Sequence, residues 1–143
     1  MATRIGLLIL NGFVAISAIA GAIWVVPTMP MEWIKHGPFT DWTIPAIALG
    51  AVGVFAAATF MALLWRPWLG ALHSILAGVT MVVFELVEIG VVGWTLSDPT
   101  LSGFQKSLQL VYLIVGSAQA ILGWFLWRST REAAPPLPIL HPA

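Results

Sequence analysis

Four long apolar stretches constrain this chain more than any other feature of its sequence. They run from Ile5 to Val26, from Thr43 to Trp65, from Leu69 to Trp94 and from about Ser107 to Trp127. A helix needs about 20 apolar residues to cross the hydrocarbon of a bilayer, and lipid leaves the backbone polar groups of an open strand unpaired. The sequence therefore predicts an all-α integral membrane protein, a four-helix bundle with up-down-up-down topology.

The composition agrees with a membrane protein and excludes several other classes. Of the 143 residues, 59% are hydrophobic and 8% are charged, whereas about a quarter of the residues of a soluble domain are charged. Six Lys and Arg balance six Asp and Glu, so no basic field is present for nucleic-acid phosphates. The absence of cysteine excludes disulfides, thiolate metal sites and a cysteine nucleophile. We expect a single transmembrane domain over residues 1–143, with the lipid bilayer as its main partner and no nucleic-acid partner.

The basic residues and tryptophans predict the direction of the spans. One side of the membrane would hold Arg4, Arg66, Arg128 and Arg131, and the other would hold Lys35 and Lys106. By the positive-inside rule, both termini are expected in the cytoplasm. The tryptophans would form two interfacial belts, an inner one of Trp65, Trp68, Trp124 and Trp127 and an outer one of Trp24, Trp33, Trp42 and Trp94. The first span is longer than the apolar core of a signal peptide, so we expect it to remain in the mature chain.

The segment before the second span contains a helix-start pattern. Asp41 or Thr40 would accept backbone N–H bonds at the beginning of the helix. Pro45 falls in its first turn, where a missing N–H donor costs little, and Pro38 makes the preceding turn. At the other end of the chain, the proline-rich residues 133–143 predict an extended, mobile tail.

The same segment also carries a resemblance. Residues 37–45 read GPFTDWTIP and are followed by Gly50 and Gly53. This sequence resembles a pattern in small uncharacterised four-helix bacterial membrane proteins. The pattern is approximately small-Pro-Phe-Ser-hydrophilic-aromatic-x-Ile-Pro-Gly. Residues 85–90 and 109–116 are similar to the third and fourth helices of those proteins, whereas Ala46 departs from the pattern, which prefers Gly there. The resemblance implies a bacterial multi-pass protein of the cytoplasmic (inner) membrane and adds no activity.

Two acids inside the third span are the strongest functional feature. Glu85 and Glu88 are three residues apart, so they share one face of a helix, about 9–14 Å from its outer end at 1.5 Å per residue. An exposed carboxylate near the bilayer centre costs about 2.5–3.5 kcal/mol, so these acids must face protein or water, have partners or carry a proton. On the fourth span, Gln109 is expected near the depth of Glu88, Tyr112 near that of Glu85, and the stem of Lys106 within reach.

This cluster allows two interpretations, a structural clasp between the third and fourth helices or a proton or cation site open to the outside.

Other polar residues have simpler interpretations. Asn11, Ser117 and Gln119 are further candidates for hydrogen bonds between helices. His36 and His73 lie toward opposite faces of the membrane, so haem ligation is not expected. No third ligand accompanies the two acids, so we expect no metal site and no cofactor.

Three functions suit such a chain to different degrees. The preferred one is a non-catalytic accessory or scaffold component that self-associates or docks on a larger membrane complex, because the chain is small and its helices carry small residues four apart. The alternative is an oligomeric proton- or cation-linked transporter or channel that uses the Glu pair. An enzyme is the least expected, because the sequence has no nucleophile–base pair and no cofactor motif.

Overall fold

The computed structural model describes residues 1–31, 39–100 and 102–132. Within these residues the chain forms four long helices, α1 (Ala2–Thr28), α2 (Thr43–Trp65), α3 (Pro67–Val92) and α4 (Gly103–Glu132), and a short 3₁₀ turn at Thr95–Ser97. Each of the four helices is long and apolar enough to cross a bilayer. The prediction of an all-helical, multi-pass membrane protein built as a four-helix bundle is confirmed.

The helices form a ring in chain order. Contacts are most extensive between α1 and α2 and between α3 and α4, and the contacts α2–α3 and α1–α4 close the ring. Neighbouring helices are antiparallel. Arg4 at the start of α1 contacts Leu63 at the end of α2, Arg66 alone turns the chain from α2 into α3, and Gln109 near the start of α4 contacts Glu88 near the end of α3. We name the end of the bundle that holds Met1, the α2–α3 turn and Glu132 the terminal end, and the opposite end the loop end.

Backbone chemistry sets the two ends of α3. Arg66 alone separates α2 from α3, and Pro67 occupies the first helical position, where its fixed φ suits the helix and its missing N–H is not needed. At the loop end, Gly93 has φ 96° and ψ 171°, a conformation that essentially only glycine adopts. The helix therefore ends at Val92, two residues before the end of the predicted span at Trp94.

Arg4 binds the C-terminal end of α2. Its Nε donates to the carbonyl oxygen of Leu63 at 2.9 Å, and its Nη2 donates to that of Leu64 at 2.8 Å. The last carbonyls of a helix have no intrahelical donor, and a positive charge is favourable there. Arg4 thus joins α1 to α2 at the terminal end, a role that its sequence pattern did not predict.

The interior of the bundle is held by close backbone contact and a layer of apolar side chains. A Cβ on Gly78 of α3 would collide with the carbonyl oxygen of Gly116 of α4, and a Cβ on Gly116 would lie 3.0 Å from the carbonyl oxygen of Gly78. Close packing of this kind is the main force between helices in lipid. Beside this contact lies the apolar layer, which consists of Val14, Ala15, Ala56, Met81 and Val115.

Candidate functional site

Polar side chains enter the core at two depths, one on each side of the contact between Gly78 and Gly116. On α3 the positions 74, 78, 81, 85 and 88 are spaced by four and three residues, and on α4 so are positions 109, 112, 116 and 119. Side chains at this spacing lie on one face of a helix. We name two groups on these faces: the amide layer is Asn11, Ser74 and Gln119, and the acid layer is Glu85, Glu88 and Gln109.

The acid layer lies toward the loop end. Glu85 is seven residues after Gly78, and Gln109 is seven residues before Gly116. Since α3 and α4 are antiparallel, both lie about 10 Å from the Gly78–Gly116 contact, at 1.5 Å per residue. Glu85 is 5% exposed and Gln109 is 2% exposed, so both side chains face the protein interior and not the lipid.

Gln109 joins Glu88 to the end of α3. Its Nε2 donates to Oε1 of Glu88 at 3.3 Å and to the carbonyl oxygen of Gly93 at 3.2 Å. The structure thus places Gln109 beside Glu88, the neighbour expected from the sequence. The contact with Gly93 could not be predicted, because a backbone carbonyl leaves no signal in a pattern of side chains.

Glu85 stands without a partner in this arrangement. Within the described ranges its carboxyl group forms no hydrogen bond and no ion pair. Its companion on the same helix face is Glu88, which is a second acid. Because a buried ionised carboxylate without compensation costs several kcal/mol, the acid layer has the capacity to accept a positive charge.

The other two members of the predicted cluster form no hydrogen bond with Glu85. Tyr112 is half-buried and packs against the apolar layer. Lys106, in the first turn of α4, acts electrostatically on Asp98, which lies outside the membrane-spanning helices. The Thr100 hydroxyl and backbone N–H donate to Oδ1 of Asp98 at 2.6 and 2.8 Å. These two bonds, together with the Lys106 charge, hold the pKa of Asp98 below its usual value.

The amide layer connects three helices at the terminal side of the Gly78–Gly116 contact. Nδ2 of Asn11 donates to the carbonyl oxygen of Leu7 at 2.8 Å and to Oγ of Ser74 at 3.3 Å. Nε2 of Gln119 donates to Oδ1 of Asn11 at 3.1 Å. All three side chains of the layer are fully buried, and Oε1 of Gln119 accepts no hydrogen bond from the described residues.

Ser74 occupies the place in this network that was predicted for Ser117. Ser117 is exposed and forms no hydrogen bond with the described residues. It lies one residue after Gly116, off the face that follows the four-and-three spacing. Ser74 lies on that face, four residues before Gly78, so the heptad spacing is the signal that distinguishes the two serines.

Asp41 and Pro45, which were predicted to begin the second helix, lie at the loop end of the bundle and do not belong to the acid layer. Oδ1 of Asp41 accepts the backbone N–H of Thr43, the first residue of α2, at 2.8 Å. Pro45 is the third residue of that helix. Several other features of the sequence lie outside the described residues, namely Trp33, Lys35, His36, Pro38 and the tail 133–143.

Within the described ranges, no group of three or more His, Asp or Glu side chains is placed to hold a metal ion. His73 lies toward the terminal end, where its ring packs against Phe55 with 5.6 Å between the ring centroids. Its Nδ1 is buried and has no hydrogen-bond partner among the residues that the structure describes.

The fold and the acid layer define a class, a multi-pass membrane protein with an acid pair in the core of a four-helix bundle. Comparison of the chain with protein-family models, with curated proteins and with solved structures gives no match. The likeness to small bacterial four-helix proteins stays a prediction, and the function has to be inferred from the chemistry of the bundle itself.

Proposed function

We propose that the acid layer is a proton or monovalent-cation site and that the chain is a small, oligomeric proton- or cation-linked transporter. The observation that carries the proposal is Glu85, which is 5% exposed and has no hydrogen bond or ion pair within the described ranges. Ionisable groups inside a membrane are expensive and mark ion or proton pathways by default.

The balance of donors and acceptors supports a positively charged ligand. Two carboxyl groups supply four acceptor oxygens, whereas among the described residues the amide of Gln109 donates to one of these oxygens, Oε1 of Glu88. That amide also donates to the carbonyl of Gly93. Ionised carboxylates are pure acceptors, so a proton or a small cation supplies what the acid layer lacks.

The packing of the bundle supports an oligomer. Between the acid layer and the amide layer, the backbones of α3 and α4 touch at Gly78 and Gly116, and the neighbouring core side chains are apolar. A route for an ion through the centre of one bundle would have to cross this region. We therefore place the route along the surface between two copies, with the acid layer reached past Glu88, its half-buried member, near the loop end.

The test is proton flux into liposomes that contain the purified protein and the internal pH dye pyranine, driven by a K⁺ diffusion potential. We expect wild-type flux above that of empty liposomes and a decrease of about tenfold or more in Glu85→Gln, because Gln keeps the shape and removes the ionisable group. Asp98→Asn is the matched control, since it makes the same change outside the membrane-spanning helices.

Two results would contradict the proposal. One is a Glu85→Gln flux equal to that of the wild type. The other is an infrared pH titration of the protein in liposomes in which Glu85→Gln leaves the protonated-carboxyl band unchanged. The infrared measurement needs no transported substrate, so it tests the site separately from the transport.

A second candidate function is that of a non-catalytic accessory or scaffold component. It is favoured by an apolar cleft of about 310 Å³ between α2 and α3, whose walls include Val52, Phe55, Leu76 and Ala77. Side chains of a partner helix would fill this cleft. Purification in mild detergent, with Ala77→Trp as the variant that fills the cleft, tests this function: a partner that co-purifies with the wild type and is lost in the variant would support it.

We also propose that both termini face the cytoplasm of a bacterial inner membrane. Arg4, Arg66, Arg128 and Arg131 all belong to the terminal end, and the positive-inside rule favours the cytoplasm for that end. Green fluorescent protein and alkaline phosphatase fused to the C-terminus test the orientation. Fluorescence without phosphatase activity is expected, and the reverse would overturn the assignment.

A further inference from the structure

The terminal end of the bundle carries a pocket that neither proposed function uses. The first residues of α3 and the last turns of α4 form an open surface pocket of about 400 Å³, lined by Pro67, Trp68, Leu72, Trp127, Thr130 and Arg131. The pocket thus combines two indole rings and a guanidinium group. Tryptophan prefers the headgroup level of a bilayer, so the pocket lies where lipid headgroups are.

Arg131 is the charge that this pocket offers. Its guanidinium carbon lies 4.2 Å from the centroid of the Trp127 ring, which orients the group by a cation–π contact. Within the described ranges Arg131 forms no ion pair, whereas Arg128 pairs with Glu132 at 2.8 Å. Arg4, at the same end of the bundle, is bound to the carbonyls of α2.

The beginning of α3 adds a second preference for anions. Among the described residues no side chain caps this helix with a hydrogen bond, and Pro67 stands at its first position. The next backbone N–H groups therefore lack intrahelical acceptors, and a helix N-terminus attracts phosphate oxygens. Pro67 and Trp68 both line the pocket, so this positive end and Arg131 belong to the same pocket.

We propose that this pocket binds the headgroup of an anionic phospholipid. Arg131 and the first-turn N–H groups of α3 hold the phosphate, because guanidinium and backbone donors match its oxygens. Trp68 and Leu72 cover the glycerol region and the start of an acyl chain. None of the described residues that line the pocket is an acid that could receive the ammonium group of a zwitterionic lipid, which favours a headgroup of net negative charge.

The test is native mass spectrometry of the full chain in detergent, titrated with phosphatidylglycerol or phosphatidylcholine. We expect phosphatidylglycerol to bind about tenfold more tightly than phosphatidylcholine, and Arg131→Gln to weaken phosphatidylglycerol binding by about tenfold. Arg128→Gln is the matched control, because it removes the same charge from the same end of α4 at a residue outside the pocket. We expect it to change the Kd by less than about twofold, as for an exposed surface charge.

Three results would overturn the proposal. Equal weakening by Arg128→Gln and Arg131→Gln would mean diffuse attraction by the net charge. Equal binding of the two lipids would mean that the pocket does not select anionic headgroups. Displacement of the lipid by millimolar inorganic phosphate would assign the pocket to a soluble anion. If Arg131→Gln fails to fold, Trp68→Leu replaces it, with the expectation that it weakens phosphatidylglycerol binding and leaves the circular dichroism spectrum unchanged.

Discussion

In the amide layer three neutral side chains bind one another, whereas in the acid layer one amide binds one of two acids. Asn11 donates and accepts at the same time, so hydrogen bonds between neutral groups link α1, α3 and α4, and Oε1 of Gln119 alone in this layer has no donor among the described residues. In the acid layer Gln109 serves Glu88 and Gly93, and Glu85 remains without a donor among the described residues. The difference indicates a structural role for the first layer and favours a role in binding a positive charge for the second.

Both layers depend on the same backbone contact, because Gly78 and Gly116 set the distance between α3 and α4 at a depth between them. The largest expected effect is therefore that of Gly78→Val, whose side chain has no room against the backbone of Gly116. We expect a loss of about 3 kcal/mol in the free energy of unfolding, as for overpacked cores, measured by chemical denaturation in mixed micelles.

The control for this substitution is Gly90→Val in the same helix. A Cβ at Gly90 meets no atom of the described residues within 4 Å, so a change of less than about 1 kcal/mol is expected from helix propensity. If both variants unfold equally easily, the Gly78–Gly116 contact does not determine the spacing of the layers.

The next prediction compares the two layers directly through Asn11→Leu and Glu85→Leu. The first leaves the buried Nε2 of Gln119 without its acceptor, so the free energy of unfolding is expected to fall by about 1–3 kcal/mol. The second removes a buried acid that has no hydrogen bond to lose, so we expect equal or greater stability. A Glu85→Leu variant as unstable as Asn11→Leu would mean that Glu85 has a partner, and the proposed site would fail with it.

A smaller effect is expected from Gln109→Leu, which removes the amide that links Glu88 to the end of α3. The two hydrogen bonds of its amide, at 3.3 and 3.2 Å, are lost. At about 0.6 kcal/mol for each interhelical bond, the free energy of unfolding should fall by about 1 kcal/mol. In the infrared titration, Gln109→Leu should shift the carboxyl signal that Glu88→Gln removes. If the signal does not shift, Gln109 does not control the acid layer.

The smallest effect concerns Asp98, the acid outside the membrane-spanning helices. Its pKa lies below the ordinary value of 3.8 because both donors of Thr100 and the charge of Lys106 favour the ionised form. A lowered pKa in the folded state stabilises the fold above about pH 4, and this contribution is lost as the pH falls through the lower, folded-state pKa. We expect Thr100→Val to raise the pKa of Asp98 toward 3.8 without reaching it, since the backbone N–H and Lys106 remain.

Carboxyl NMR titration of Asp98 measures this shift. The control is Ser97→Ala, because the Ser97 hydroxyl donates to the carbonyl of Trp94 at 2.7 Å and not to Asp98. An unchanged pKa in Thr100→Val would mean that the Thr100 hydroxyl does not lower the pKa of Asp98 and that the backbone N–H of Thr100 and the charge of Lys106 account for the shift.

The four membrane-spanning helices and the depth of the acids follow from the sequence alone. Length and apolarity are local properties, and in lipid they leave the backbone no alternative to the helix. The spacing of Glu85 and Glu88 on one helix face is equally local, since it follows from 3.6 residues per turn. Gln109 beside Glu88 could be predicted because two antiparallel helices that are consecutive in the chain align their depths from the end where the chain turns.

Only the tertiary structure decided which polar groups meet and which remain alone. Ser74 and not Ser117 joins Asn11, Arg4 binds the end of α2, and Glu85 is buried without a donor among the described residues. Each of these facts depends on the rotation of one helix about its axis relative to its neighbours. That rotation is set by the sum of many small packing contacts, such as the one between Gly78 and Gly116, and no single stretch of sequence contains it.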